Sequence, residues 1–557
     1  MGYSAFIHAQ DQVNQQQARD YLSQKQLIDQ LTRSITPVIQ LQKTEVHSSY
    51  SWLQDEPICF GISSLNVDFP TSHSSIKTSD FSNILKELKY SENKIIDRCI
   101  GEKGLSGVIN YINEQLVKLG YVSTQVILPE QDLSTGHLRL TLVPGLIGEV
   151  RLKNSESKSL NYRLPMQPGD ILNIRRLEQI LETFGRLQGI QMNFDILPSQ
   201  KSGKDAGYSD IEIGWEIREQ NFITAGLNDA GSKSSGKYQG YASYTLENPF
   251  NAADNLFIYY TQSINDWNAD HTDFNNYFVS YEIPYRNWLF SINFSQYTNT
   301  QELEGFDEWF DYETINKDFN FQVQRELSRS KSYRLSGYAQ LYQKSASSFI
   351  EDVEIEVQRK RTAGWELGGK YQLKLGQQTI NAQLGYRKGT GILGAKQTAE
   401  DITGEGDSRA GIWNAAFQYA VPWQTLNNNF MYQLNWQAQW SQKKVVSQET
   451  FNIGGRYSNR GYQTEQSIVG NNGYYLQQTI HWINPIPHLS LYAGLDQGLV
   501  TGNKTQHYSD HYLLGSVVGL KTQFKNINGE FFVGKGLFAP KHLSKEMITG
   551  FNLSFNY

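Results

Sequence analysis

From about residue 217 to the end of the chain, apolar and polar positions alternate. Phe430, Tyr432, Leu434, Trp436, Ala438 and Trp440 interleave with Met431, Gln433, Asn435, Gln437, Gln439 and Ser441. Trp288, Phe290, Ile292 and Phe294 interleave with Leu289, Ser291, Asn293 and Ser295. A period of two puts each set on its own face of a strand. The runs are about as long as a tilted bilayer-spanning strand, ~9–11 residues. The last of them sets Phe551, Leu553, Phe555 and Tyr557 against Asn552, Ser554 and Asn556. Short turns at Asn484–His488 and Lys525–Asn528 alternate with long polar connections at Thr501–His511 and Ala539–Thr549. This pattern predicts an antiparallel transmembrane β-barrel with short turns at one end and long loops at the other. A soluble all-β protein rich in turns is the alternative.

The first 216 residues have a different period. Residues 10–31 hold eight glutamines, few apolar residues and no Gly or Pro. They predict a helix too polar to anchor a conventional core, suited instead to a wet barrel lumen; a disordered tail is the alternative. Residues 33–56, with Pro37 and Ser48-Ser49, read as a linker. In 57–146, Leu105, Val108, Ile109, Ile112, Leu116 and Leu119 recur at helical spacing, Gly120 ends the helix, and Leu138, Leu140 and Leu142 alternate as a strand. In 147–216, Leu177, Ile180, Leu181, Phe184 and Leu187 mark a second helix. Both segments read as small α+β domains.

Composition narrows the function classes. The net charge is −6 with no basic block, which argues against nucleic-acid binding. No stretch approaches the ~20 apolar residues of a spanning helix. Yet 13% of the chain is aromatic, and a barrel accounts for high aromatic content beside a negative mean hydropathy. Met1-Gly2-Tyr3 shows no charged and apolar export signal, so the chain reads as a mature form. No catalytic constellation stands out. Gly231–Lys237 fits most of a phosphate-loop pattern, but Tyr238 follows, and a strand rather than a helix comes next; it reads as a hairpin. His507 and His511 fall in a polar loop and predict no metal site. No cofactor is expected.

Two runs carry the most specific signal. One is Phe451-Asn-Ile-Gly454-Gly455-Arg456-Tyr457-Ser458-Asn459-Arg460-Gly461-Tyr462. The other is Leu489–Gly498, a strand whose Leu489, Leu491, Ala493 and Leu495 share one face while Ser490, Tyr492, Gly494, Asp496 and Gly498 share the other. In a barrel the second face is the lumen, where a carboxylate needs water or a partner. The pair of runs resembles the loop-and-strand signature of outer-membrane transporters that carry POTRA domains. That resemblance implies an inward-folded loop whose Arg460 pairs with Asp496, with Gly454, Gly455, Gly461, Tyr462 and Gly498 belonging to the same lock. The signature usually has valine before the arginine, and here Asn459 stands there.

Gly120–Thr124, Leu128–Leu133 and Gly136–Leu138 closely resemble the first POTRA domain of two-partner secretion (TpsB) transporters, and Pro168–Asn173 with Leu177–Gln179 resembles their second. The resemblance spans nearly the whole chain. It implies an N-terminal plug helix (1–32), a linker (33–56), two periplasmic POTRA domains (57–146 and 147–216) and an outer-membrane barrel (217–557) of sixteen strands. It also implies a Cys59–Cys99 disulfide, with two buried free thiols as the alternative. The implied work is export of one large cognate exoprotein, an adhesin, haemolysin or contact-dependent inhibition toxin, recognised through its N-terminal secretion domain. The expected setting is outer-membrane lipid, and the expected state a monomer. A barrel-assembly insertase of the same superfamily and a passive porin are the rivals; the first usually has more POTRA domains, and the second needs none.

Overall fold

The computed structural model describes residues 2–32, 52, 55–68, 78–153, 164–199, 207–264, 272–304, 308–506 and 508–557. Most of the expected linker and His507 lie outside them. The chain divides into two compact units, Met1–Val38 with Glu219–Tyr557, and Ile39–Arg218.

The larger unit is a closed antiparallel barrel. Its sixteen long strands are β1 (Asn221–Asn228), β2 (Gln239–Glu247), β3 (Asn255–Ser263), β4 (Thr272–Tyr285), β5 (Trp288–Glu304), β6 (Trp309–Arg329), β7 (Tyr333–Ile350), β8 (Lys360–Leu375), β9 (Gln378–Thr390), β10 (Gly411–Thr425), β11 (Asn428–Ser441), β12 (Asn472–Ile486), β13 (Leu489–Thr501), β14 (Tyr512–Phe524), β15 (Ile527–Phe538) and β16 (Met547–Asn556). A two-residue strand, Val353–Glu354, also pairs with β7. Each long strand pairs with its sequence neighbour, and β16 returns to pair with β1. Several strands are longer than a bilayer crossing needs; β6 has 21 residues. The excess is polar, as in Asp311, Glu313 and Lys317, and so extends past the apolar band toward the long-loop end.

Alternation does what the sequence predicts. On β13, Leu491, Ala493 and Leu495 are exposed on the outer face while Tyr492, Asp496 and Gly498 are buried. The outer face also carries an aromatic belt at the short-turn end. Trp423, Phe430 and Trp482 stack across three neighbouring strands with centroids 5.5 and 6.0 Å apart, as expected where apolar rings meet an interface. Gly231–Lys237 lies in the connection between β1 and β2, as its hairpin reading requires.

The N-terminal helix spans Gly2–Thr32, beyond the glutamine-rich window 10–31 and in keeping with the 1–32 segment that the resemblance implied. Past Gly2 it meets no helix breaker. It lies in the lumen. The Tyr21 hydroxyl donates to Asp318 on β6 at 2.6 Å, and the Ser232 and Ser234 hydroxyls donate to Asp20 at 2.9 and 2.7 Å. Gln17 bonds Thr314.

In the smaller unit, the strands Ser64–Asp68, His137–Val143 and Gln125–Ile127 form a sheet in that order, with helices Thr78–Tyr90 and Glu102–Lys118 alongside in sequence. Leu138, Leu140 and Leu142 face its core with Leu105, Val108, Ile112 and Leu116. Leu119 does not join them; it is the helix C-cap and is exposed. Trp52 belongs to this core too, although the sequence reading put it in the linker. It packs edge-on against Tyr111 and donates to the Asn93 carbonyl at 2.8 Å. Glu56 caps the Glu102–Lys118 helix from outside, accepting from the amides of Gly101, Lys103 and Gly104 at 3.1, 3.0 and 2.7 Å. Partial desolvation pushes the Glu56 carboxyl up, but these three backbone bonds outweigh it and hold it below the usual glutamate value. Cys59 and Cys99 are joined as a disulfide near that cap; Cys59 immediately precedes the strand Phe60–Ile62, and Cys99 lies in its antiparallel partner Arg98–Ile100. A second sheet orders the strands Leu146–Lys153, Tyr208–Ile217 and Ile190–Pro198, preceded in sequence by helix Ile174–Gly185 for the last two.

Candidate functional site

The connection between β11 and β12, residues 442–471, folds back into the barrel. Two short strands, Phe451–Ile453 and Ile468–Gly470, pair antiparallel and form its stem. Gly454 and Gly455 begin the tip at φ values of 115° and 84°, a region where a Cβ is unfavourable. The turn they make brings Asn459, Arg460 and Gly461 onto the barrel wall.

There the guanidinium meets its expected partner. Arg460 Nε donates to Asp496 Oδ2 at 2.8 Å and Nη2 to Oδ1 at 2.7 Å. This is the parallel two-bond geometry that suits a planar guanidinium and a carboxylate. The Arg460 amide donates to Oδ2 as well, at 2.9 Å, and Nη2 also reaches Thr479 Oγ1 on β12 at 2.8 Å. The Asp496 side chain is 1% exposed and that of Arg460 16%. Asn459 adds a bond where valine is commoner: its side-chain Nδ2 donates to the Asp496 main-chain carbonyl at 3.2 Å.

The tip sits on a floor of glycines. A Cβ on Gly461 would lie 2.7 Å from Gly515 Cα and 2.7 Å from the Lys535 carbonyl. A Cβ on Gly494, Gly515 or Gly534 would strike Arg460 Nη2, Asn459 Oδ1 or the Arg460 carbonyl at 2.7, 2.3 and 2.1 Å. Strands β13, β14 and β15 therefore carry bare backbone where the loop lands. Tyr462 fills the next position, its hydroxyl 2.9 and 2.6 Å from the carbonyls of Leu514 and Phe538. Those carbonyls flank a bulge, since Leu514 pairs with Phe538 while Gly515 pairs with Gly536. Gly498 lies under Ile453 of the stem, with 3.0 Å available to a Cβ.

The structure thus brings together Arg460, Gly461, Tyr462, Asp496, Gly498, Gly454 and Gly455. It also adds residues that the sequence did not single out. Glu449, at the base of the loop, receives Lys344 of β7 at 2.5 Å and Arg387 of β9 at 3.0 Å. Arg387 in turn donates to Glu366 at 2.9 Å. Arg456 pairs with Asp229 at the end of β1. Ser447 is held from the β9–β10 connection, where Glu400 accepts from its amide at 2.9 Å and its hydroxyl at 2.7 Å. Glu400 also receives Lys360 at 2.5 Å and Lys504 at 3.3 Å. Burial raises the Glu400 carboxyl, but the two ammonium groups and the bonds from Lys360 and Ser447 prevail and hold it at about 2. No local sequence signal marked these residues: the loop is no richer in charge than the chain as a whole.

Loop and helix touch each other. Gln26 donates to the Asn452 carbonyl at 2.9 Å and Gln30 to that of Tyr457 at 3.1 Å. Beside them a polar cavity of about 440 Å³ runs between the helix and the wall, lined among others by Lys25, Asp29, Glu282, Asp318 and Lys370. Among the described residues no cluster of His, Cys, Asp and Glu could hold a metal ion.

A family model described as haemolysin secretion/activation protein ShlB/FhaC/HecB matches residues 207–522. A POTRA domain of ShlB type matches 77–145, and a further POTRA domain matches 146–198. The outer membrane transporter CdiB-2 of Burkholderia pseudomallei is 26% identical over 533 residues, covering 91% of this chain and 88% of the relative. The haemolysin transporter protein ShlB of Serratia marcescens is 26% identical, covering 69% of this chain and 67% of the relative. Among solved structures, CdiB from Acinetobacter baumannii superposes with a TM-score of 0.83 at 29% identity, covering 99% of both chains.

Proposed function

This chain belongs to the haemolysin secretion/activation family of ShlB, FhaC and HecB, and on that premise we propose how its parts divide the work of export. It is an outer-membrane transporter of the two-partner secretion type, with its barrel in the outer membrane and its POTRA domains in the periplasm, and it carries a cognate exoprotein to the cell surface. The chemistry is physical rather than catalytic.

In our reading, residues 1–32 are a plug, 57–146 and 147–216 are the two POTRA domains, and 217–557 are the barrel. The POTRA domains receive the N-terminal secretion domain of a large adhesin, haemolysin or contact-dependent inhibition toxin while it is unfolded. An extended segment can add a strand to an open sheet edge. The plug leaves the lumen, the substrate threads outward, and folding outside gives direction to the movement. The barrel works as a monomer with its apolar face against lipid. Arg460 and Asp496, with Gly461, Tyr462 and Gly498, hold the inserted loop at the wall so that it shapes the path instead of collapsing across it.

The observation that carries this reading is the occupancy of the lumen. A helix and a loop fill it together, and both are held by reversible side-chain contacts beside a polar cavity. A passive pore has no need of a removable stopper. Co-expression with a candidate large exoprotein, sought in the genes beside this one, followed by assay of the medium, tests the reading. Secretion that depends on this chain supports it. Retention of the partner inside cells in which this chain has assembled in the outer membrane would refute it.

A further inference from the structure

The barrel closes where β16 meets β1, and this is its shortest seam between long strands. Only five residue pairs are in register, from Asn552↔Asn228 to Asn556↔Thr224. The neighbouring β15–β16 pairing has nine, from Ile527↔Phe555 to Lys535↔Met547. The long-loop half of β16, from Met547 to Phe551, therefore runs on with no strand on that side. What stands there is the start of the β1–β2 connection and the inserted loop, one residue of which bonds β16 itself.

That residue is Arg456. Its Nη1 donates to the Phe551 carbonyl of β16 at 3.1 Å, and its Nη2 donates to Asp229 Oδ1, just past the end of β1. The same Asp229 oxygen accepts from the Phe551 amide at 2.8 Å. One guanidinium thus bonds both sides of the seam, and a side-chain carboxylate stands in for the missing ladder acceptor. The arrangement is built for this. The Phe532 ring lies under the guanidinium, 5.0 Å from centroid to carbon, and a Cβ on Gly550 would come within 2.6 Å of Nη2. Thr464, also on the loop, donates to the Ala230 carbonyl at 3.3 Å. Packing alone does not seal the place, because a cavity of about 80 Å³ lies there between Arg456, Phe532, Ile548 and Asp229.

We infer that Arg456 is a cross-seam staple: the inserted loop closes the long-loop half of the β16–β1 seam, so that loop position and barrel closure are coupled. With the loop in place, Arg456 ties the Phe551 carbonyl to the Asp229 carboxylate and holds that carboxylate on the Phe551 amide. With the loop displaced, that end keeps only the direct Phe551–Asp229 bonds beyond the five ladder pairs and the Tyr557–Ile223 pair, and it can part there. Arg456 acts here by positioning, not by contact with the exported chain. The inference rests on the barrel geometry and is independent of what the transporter carries.

Hydrogen exchange of the full-length chain in detergent or nanodiscs tests it, because the Phe551 amide reports on the seam itself. Arg456→Ala is expected to speed exchange in peptides covering 547–553 by at least tenfold and to leave those covering 491–498 unchanged. Arg456→Met keeps most of the packing without the donors and is expected to match the alanine variant; protection retained in the methionine variant would assign the effect to packing and overturn the staple. Arg456→Lys, with one point donor, is expected to fall between, and it provides the reading if the alanine variant fails to assemble. Arg460→Ala, which frees the loop from the other wall, is expected to raise exchange at 547–553 as well. Unchanged seam exchange in Arg456→Ala overturns the staple, and unchanged seam exchange in Arg460→Ala overturns the coupling.

Discussion

Arg460 and Asp496 meet through two side-chain bonds of 2.8 and 2.7 Å, and the Arg460 amide adds a third to the same carboxylate at 2.9 Å. Removing one member of a buried pair strands the other charge, at a typical cost of ~3–5 kcal/mol. The wet lumen reduces that figure, and Glu449 and Arg456 hold the loop at other points, but only Arg460 fixes its tip to β13. Arg460→Ala and Asp496→Ala are each expected to lower export at least about tenfold while the barrel still assembles, as judged by heat-modifiable migration. Arg460→Lys cannot make the parallel pair of bonds and is expected to resemble the alanine variant more than the native chain. Native export from both alanine variants would remove the lock from the mechanism.

Gly461 tests the landing site without touching charge. A methyl group there meets backbone on two strands at 2.7 Å, and backbone cannot swing aside. Overpacking of this kind costs roughly 1–3 kcal/mol. Gly461→Ala is expected to expose the loop to protease added from outside cells, with the barrel otherwise intact. Gly376, which has open space around its Cβ position but lies in a turn at φ 61°, is a control for backbone strain alone; Gly376→Ala is expected to leave loop protection unchanged.

How much of this could be read beforehand depends on the range of the signal. Alternation along β13 placed Asp496 in the lumen from a ten-residue window, because the side-chain period of a strand is local. The period of Leu105, Val108 and Ile112 was equally local, and those residues do face a common core. Leu119 kept the period yet is exposed, since it is the last residue in helical geometry and the chain turns away at Gly120 before anything covers it. Trp52 was hidden in apparent linker because nothing near it in sequence shows that its partner is Tyr111. Glu449, Arg456 and the floor made by Gly494, Gly515 and Gly534 were missed for the same reason. Their meaning lies in pairings across tens to hundreds of residues that no window contains. Isolated strand glycines on three successive strands were the one available clue to a close backbone approach.

The helix is held by polar contacts that water can replace. Asp20 bonds two serines of the β1–β2 connection, Tyr21 bonds Asp318, and Gln26 and Gln30 bond the loop. Each such bond nets only about 0.5–1.5 kcal/mol, or about 1.5–3 where an ionised carboxylate accepts, which fits a stopper that must leave. Deleting residues 1–31 is expected to raise single-channel conductance in planar bilayers. Tyr21→Phe, which loses one bond and little volume, is expected to raise the frequency of openings without changing their size. Unchanged conductance after the deletion would mean that the helix does not obstruct the channel.

Cys59 and Cys99 bridge 40 residues of sequence beside the Glu56 cap. A disulfide of this span stabilises by about 2–4 kcal/mol, largely through the unfolded state in the chain-entropy account. Cys59→Ser with Cys99→Ser is expected to lower the melting of the smaller unit, Ile39–Arg218, by roughly 4–16 °C, at ~2–4 °C per kcal/mol for a unit of this size. The barrel transition, followed by heat-modifiable migration, is expected not to move. Equal shifts in both would show that the bridge supports more than its own domain.

Glu400 sets a pH window for the clasp on Ser447. Its carboxyl is held at about 2 in the folded chain, against about 4.3 for an unperturbed glutamate. The folded value is depressed, so the group contributes stability that is fully present above the unfolded value and disappears as pH falls through the folded one. Lys360, Lys504 and Ser447 lose their common acceptor over the same interval. Glu400→Gln removes the charge but keeps the shape. The difference in thermal stability between the native chain and this variant is expected to be constant from pH 7 to pH 5, to shrink below about 4.3, and to vanish near 2. Other buried carboxylates titrate too, but they do so in both proteins and cancel in the difference. Thermal melts of the two proteins in parallel at pH 7, 5, 4, 3 and 2 measure it. A difference that stays flat down to pH 2, or that shrinks between pH 7 and 5, would show that the ion pairs around Glu400 do not hold the base of the inserted loop.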